Sequence, residues 1–169
     1  MISIETDRLL LRPFQESDLD AYAAMMADPE VMRFMDGPQD RTTAWRGMAG
    51  YLGHWVLRGY GLWAVEQRAS GELIGRIGLI NVEGWPGLEV GWTFDPAHWG
   101  RGYATEAGQA SVEWAFANHA VDELVSVILP DNAASQGVAR RLGFRLREER
   151  VLSFFPAAAH GIWVLPRPA

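Results

Sequence analysis

The fourteen residues FDPAHWGRGYATEA, from Phe94 to Ala107, constrain the fold of this chain more than any other stretch. Just before them, LEVGWTFDP (88–96) reads as a strand and is stopped by Pro96. After a turn with glycines at 100 and 102, the segment 103–118 sets Ala107, Ala110, Ser111, Trp114 and Ala115 at helical spacing. LVSVIL (124–129) is then an apolar run of the kind buried in a sheet. A strand, a helix and a second strand in close succession require a sheet with a helix packed on it, which makes the chain α/β.

The flanking segments extend that unit. RLLLRPF (8–14) predicts a first strand closed by Pro13. SDLDAYAAMMADPE predicts a helix with Ser17 as N-cap, Asp20 three residues on, and Leu19, Tyr22, Ala23 and Met26 on one face, ending before Pro29. Asp40 caps a second helix that runs through Trp45, Met48, Leu52 and Trp55 to Leu57, where Gly59 and Gly61 break it. LWAVEQ (62–67) and LIGRIGLINV (73–82) form a hairpin about RASGE, with Gly71 at its tip. Asn132 caps a short helix stopped by Gly143, and FRLREERVLSFF and GIWVLP finish as strands. The expectation is a mixed, mostly antiparallel sheet of about seven strands with four helices, in one domain spanning 1–169.

Composition removes several chemistries. With 49% hydrophobic and 21% charged residues the chain is an ordinary globular one. It has no cysteine, so disulfides, thiolate zinc sites and a cysteine nucleophile are excluded, and no metal is expected. All 15 basic residues are Arg, so a Schiff base and a lysine phosphate anchor are excluded as well. MISIETDRLL carries no basic segment followed by an apolar one, and no apolar run approaches the ~20 residues that cross a bilayer, so a cytoplasmic protein without a membrane partner is expected. The net charge of −6 argues against nucleic acid and mildly favours cationic partners. A homodimer is compatible with the sequence, although no heptad or docking stripe marks one.

The backbone N–H groups of residues 100–105 fall at a helix start, where they lack intrahelical acceptors and the helix dipole is positive. Gly100 and Gly102 let a ligand approach without a Cβ in the way, and Arg101 adds a charge that reaches a phosphate. On spacing alone the stretch is either a plain turn or an anion seat. A Walker loop requires a Lys that this chain lacks. A dinucleotide fold requires a third glycine, where Thr105 stands, and an acid ending the next strand, whereas Asp122 and Glu123 precede it.

WGRGYATEA resembles motif A of the GNAT superfamily of acyl-CoA-dependent N-acyltransferases. That motif has Gln or Arg, any two residues, Gly, any residue, and Gly or Ala. Trp99 replaces the first member, and Gly102 and Ala104 occupy the small positions. ETDRLLLRPF (5–14), DPEVMRFM (28–35) and NAASQGVARRLGF (132–144) are similar to the RimJ/RimL-type branch, which includes acetyltransferases of ribosomal-protein N-termini. The resemblance spans nearly the whole chain and implies acetyl-CoA as co-substrate and an amine as acceptor. It implies that acetyl-CoA lies between the fourth and fifth strands, with Thr93, Phe94 and Asp95 facing the pantetheine. Gly100, Arg101, Gly102, Tyr103, Ala104 and Thr105 would then hold the pyrophosphate, and Asn132 would touch the pantetheine arm or serve only as a cap.

Transfer by direct attack needs a neutral amine, donors for the oxyanion and a leaving thiolate. A backbone N–H near Trp92 to Phe94 serves the oxyanion. A thiol pKa of ~8.5 leaves little for an acid to do, so Ser135, where the branch places a proton donor, contributes modestly or is merely a first-turn helix residue. Glu89 on the fourth strand is the base candidate, working through a water, or else an exposed strand Glu. His98 and His160 are weaker, the latter expected at the surface. Trp114 and Trp163 read as core, while Trp45, Trp55 and Trp85 line the acceptor cleft or pack elsewhere. Arg140 and Arg141 reach the 3′-phosphate of CoA or coat a solvated helix face.

Overall fold

The computed structural model describes residues 1–168. Its strands are β1 (Ile4–Glu5), β2 (Leu9–Arg12), β3 (Leu62–Gln67), β4 (Glu72–Ile80), β5 (Glu89–Phe94), β6 (Glu123–Ile128), β7 (Arg145–Leu152) and β8 (Phe155–Pro166). They form one sheet in the order β1-β2-β3-β4-β5-β6-β8-β7, antiparallel throughout except for the β5–β6 pair. The helices are α1 (Leu19–Ala27), α2 (Arg41–Arg58), α3 (Tyr103–Asn118) and α4 (Ala133–Arg141). The sheet therefore has eight strands where the pattern predicts seven. The extra one, β1, is two residues long and carries no periodicity, so only its pairing with β2 reveals it. The predicted fourth and fifth strands are β5 and β6. The last strand begins at Phe155 because Leu152 pairs with Phe155 across a tight turn, drawing PAAAH into the ladder.

Three of the helix signals act as expected. Asp40 accepts from the Thr43 N–H at 2.7 Å, Gly59 ends α2 at φ 77°, and Asn132 accepts from the Ser135 N–H at 3.1 Å. Ser17 does not cap α1. The Asp18 carboxylate accepts from the Gln15 N–H at 2.7 Å and is gripped by both Arg12 terminal nitrogens at 2.8 Å, and α1 starts at Leu19. A buried carboxylate must be paired, and Arg12, which also bonds Glu66 at 2.7 Å, is the cation in reach.

Strand alternation divides the sheet into two faces. Ile77, Leu79, Val90, Trp92 and Phe94 point to the face covered by α3, in a core that includes Trp63, Ala107 and Val112. Arg76, Ile80, Glu89 and Thr93 point the other way, where α1 packs on β4 and α2 on β3 over Phe14, Tyr22, Met26 and Met48. On β6, β7 and β8 this second face is floored by Val125, Leu152 and Ile162. Glu89 stands where the two halves meet.

Candidate active site

Strands β5 and β6 separate after a single register pair, Glu89 with Val125. The Val125 N–H donates to the Leu88 carbonyl at 2.9 Å, but the next amide in line, Val127 N–H, donates at 3.0 Å to the Glu89 carboxylate instead of to strand backbone. Because Leu88 aims its carbonyl at β6 while Asp95 donates back to Ile74 of β4 at 3.0 Å, alternate residues divide cleanly. Trp92 and Phe94 turn their main-chain groups into the gap, and Thr93 and Asp95 turn theirs to β4. The Phe94 carbonyl is occupied by the Trp99 indole N–H at 2.7 Å. Trp92 is left as the open strand edge, a slot shaped for an extended guest.

The glycine turn lies at the mouth of that slot. Gly100 and Gly102 have φ of 73° and 82°, the left-handed region in which any side chain is strained. The first helical bond of α3 runs from Glu106 N–H to the Gly102 carbonyl at 3.0 Å, so the amides of Tyr103, Ala104 and Thr105 have no acceptor within the helix. Arg8 braces the turn from behind, donating to the Arg101 carbonyl at 3.0 Å and pairing with Glu106 at 2.6 Å. The Tyr103 side chain is buried and bonded by Gln67 at 2.7 Å, so its amide alone is on offer. Arg101 is exposed. Arg141 of α4 bonds the Thr105 hydroxyl at 3.2 Å and so reaches the turn, whereas Arg140 lies 5.0 Å over Trp163 and does not. Across the gap, Asn132 and Ser135 start α4 directly beyond the end of β6.

Of the three strand-end side chains, Phe94 is in the core, Asp95 accepts from Ala97 N–H at 2.8 Å, and Thr93 is buried opposite Arg76 on the second face. That second face carries the titratable groups. Glu89 is buried, not exposed, and its two oxygens accept from Val127 N–H and from the Trp85 indole at 2.5 Å. Burial pushes its carboxyl up to about 7, against those two donors and the positive charge of Arg76. The Trp85 ring lies 5.5 Å from Phe154 and 5.7 Å from Phe155, forming one wall of a trough. On the opposite wall, Arg76 stacks 5.1 Å from the Tyr51 ring with one terminal nitrogen 3.8 Å from the Met35 sulfur. Between them the facing pair Gly78 and Gly91 puts no side chain on the floor. Two other hollows, of about 510 and 610 Å³, lie beside α4 and between β1 and α3, away from this trough.

Several predicted positions are displaced. Trp55 is buried against Trp63 and Trp114, and Trp45 bonds Glu16 on the outer side of α2, so only Trp85 of the three faces the acceptor trough. His160 is buried inside β8 with its ring 4.8 Å from Phe155, not at the surface, because the strand starts six residues earlier than the pattern indicates. His98 lies in the turn before Gly100 near Asp95 and Glu72. Arg76, Tyr51, Phe154 and Phe155 were missed by sequence reasoning. The one available signal was a lone arginine inside the otherwise apolar ELIGRIGLI.

A strand edge open beside a glycine-built helix start, with a carboxylate on the adjoining face, defines a group-transfer site for a long, phosphate-bearing donor and a smaller acceptor. Residues 8–145 match the family described as the acetyltransferase (GNAT) domain, and the chain belongs to that family of N-acetyltransferases. It is similar to the uncharacterised protein YkkB of Bacillus subtilis (strain 168), 32% identical over 148 residues and 82% of each chain. It is also similar to the solved acetyltransferase from Agrobacterium tumefaciens str. C58, with a TM-score of 0.88, 33% identity, and 99% and 95% of the two chains covered. Two structures solved with coenzyme A share the fold at lower identity. They are the RimL ribosomal L7/L12 alpha-N-protein acetyltransferase (TM-score 0.81, 19%; 98% of each chain) and the aminoglycoside acetyltransferase AAC(6')-Ib (0.76, 17%; 94% and 95%). No helix among the described residues is long and apolar enough to cross a membrane.

Proposed function

We propose that this N-acetyltransferase transfers the acetyl group of acetyl-CoA to the α-amine of an acceptor, with a protein N-terminus as the first acceptor class. The observation that carries the reading is the strand edge open at Trp92 next to the unbonded amides that begin α3. Acetyl-CoA supplies the acetyl group as a thioester. The amides from Gly100 to Thr105, with Arg101 and Arg141, would hold its phosphates, Phe94 and Trp92 would line the pantetheine, and Asn132 would meet the arm from α4. Thr93 and Asp95 would act by holding β5 in register. The Trp92 N–H is the donor for the oxyanion, fixed by the sheet and needing no reorganisation.

Glu89 is the base, through a water held between its carboxylate and the amine. A carboxyl near 7 matches an α-amine of pKa ~8 far better than a lysine or polyamine amine of ~10.4. The protein N-terminus is taken from the RimJ/RimL resemblance. A small-molecule amine is the second reading, in keeping with the shared fold of the aminoglycoside acetyltransferase. Thiol release from acetyl-CoA across peptides with free N-termini, amino acids, polyamines and aminoglycosides tests both. The expected result is turnover confined to α-amines. Binding of acetyl-CoA without release on any amine would leave a silent CoA-binding module in place of the enzyme.

Ser135 follows the Asn132 cap in the first turn of α4, and its hydroxyl would return a proton to the departing thiolate. Since that thiolate is a weak base at neutral pH, Ser135→Ala is expected to lower kcat by less than ~10-fold, the smallest share of acid–base help. An unchanged kcat would remove it from the mechanism.

A further inference from the structure

Seven of the arginines, Arg8, Arg12, Arg41, Arg58, Arg68, Arg147 and Arg150, form ion pairs with carboxylates. Among the others, Arg33, Arg46, Arg101, Arg140, Arg141, Arg145 and Arg167 are exposed to water. Arg76 is different. It is half-buried in the middle of an apolar strand, it forms no ion pair among the described residues, and its Nε is fully shielded without an acceptor. Its neighbours are the Tyr51 ring at 5.1 Å and the Met35 sulfur at 3.8 Å, neither of which neutralises a guanidinium. Tyr22, whose hydroxyl lies 3.4 Å from that of Tyr51, stays neutral because burial raises its phenol, and Glu89 is the nearest acid but is held by Val127 and Trp85.

A half-buried guanidinium with a shielded Nε and no carboxylate in contact is poised to pair with an anion. Position along the sheet says where that anion would lie. Arg76 is opposite Thr93 and Glu89 opposite Ile80, four residues apart along β5, or ~13 Å between backbone positions at the usual strand rise. The glycine pair separates them, and Glu89 leans back over it, since a Cβ at Gly91 would be 3.7 Å from its Oε1. The cation and the base thus share one face of the sheet, separated by the single glycine pair over which the Glu89 carboxylate leans. Met35, Tyr51, Trp85 and Phe155 supply apolar and aromatic surface around it.

We propose that Arg76 is the specificity residue of the acceptor site, and that the acceptor is an amine that also carries a carboxylate, bound by the Arg76 guanidinium while its amine faces Glu89. This rests on the acetyl-transfer reading for the identity of the reacting group, but not for the binding. A carboxylate can come from the α-carboxyl of a free amino acid or from the side chain of an acidic first residue at a protein N-terminus. A planar guanidinium binds either through two parallel hydrogen bonds.

The test compares acids with their uncharged amides. In the absence of acetyl-CoA, calorimetric titration with N-acetyl-L-phenylalanine and with its amide reads the carboxylate alone. The acid is expected to bind at least ~10-fold more tightly, as a charge-assisted pair requires. In turnover, L-phenylalanine against L-phenylalanine amide reports the α-carboxyl, and peptide amides beginning Asp or Asn report the side-chain source, each preference appearing in KM. Arg76→Gln is expected to bring the preferred ratio close to one, and Arg76→Lys to retain part of it. The wild-type comparison stands even if the variants fold poorly. Equal binding and equal turnover of acid and amide would overturn the proposal while leaving acetyl transfer intact. Acid-selective binding with no turnover would support it and sink the transfer reading instead.

Discussion

Glu89→Gln is expected to lower kcat/KM by ~10²–10⁴-fold, the range for loss of a positioned base, and to remove the ionisation near 7 from the acidic limb of the pH profile, leaving only that of the amine substrate at ~8. In the wild type the rate should rise with pH in two steps, as the carboxyl ionises near 7 and as the amine loses its proton near ~8, because only the carboxylate accepts a proton and only the neutral amine attacks. The same group makes a separate claim on stability. Its carboxyl is raised on folding from 4.5 to about 7, so between those values the folded state holds a proton that the unfolded state has released. Stability is therefore full below about 4.5 and falls, by about 3 kcal/mol, as pH rises to about 7. Glutamine copies the protonated form in shape and charge, so the variant should lack this slope. Melting temperatures of the two proteins at acidic and mildly alkaline pH check it, the wild type falling by at least ~6 °C relative to the variant. A variant with an unchanged pH–rate profile would show that Glu89 only fills the split between β5 and β6.

Gly102→Val is expected to abolish the response to acetyl-CoA. At φ 82° a β-branched residue is strained by ~1–2 kcal/mol or more, and its Cβ would stand 3.5 Å from the Arg8 guanidinium that braces the turn. The larger effect is on binding, since the turn must admit a diphosphate against its amides. For the wild type, acetyl-CoA at ~100 times its dissociation constant should add ~2.7 kcal/mol, a rise of ~5–11 °C in Tm for a chain of this size. The variant should melt somewhat lower and show little or no rise. A full ligand-induced rise in the variant would move the phosphates away from this turn.

Much of this was legible because it is local. The caps at Asp40 and Asn132, the stop at Gly59 and the glycines of the turn act through hydrogen bonds and dihedrals within a few residues, and each behaves as its spacing predicts. Failures came where distant residues compete. Ser17 does not cap α1 because it lies inside a 3₁₀ turn, Glu16–Asp18, that Asp18 fixes through the Gln15 N–H and the Arg12 guanidinium of β2. Of the two placements open to Trp55, contacts with Trp63 and Trp114 choose the core, and His160 is buried by a register that only the β7–β8 pairing sets.

By itself the sequence determined the α/β class, the strand-turn-helix with its glycine turn, the absence of thiol and lysine chemistry, and the likeness to acetyltransferases. It also singled out Glu89, but as a strand residue of either exposure. Only the tertiary structure decided that β5 and β6 part beyond Glu89, that Trp92 is the edge left open, and that the Glu89 carboxyl is buried and raised. It alone brought Arg76 to the same floor without a partner. The physical reason is that a pKa and an unpaired charge depend on what surrounds a side chain from every direction. In this chain those surroundings come from α2, the loop at Trp85 and the β7–β8 hairpin, segments far apart in sequence.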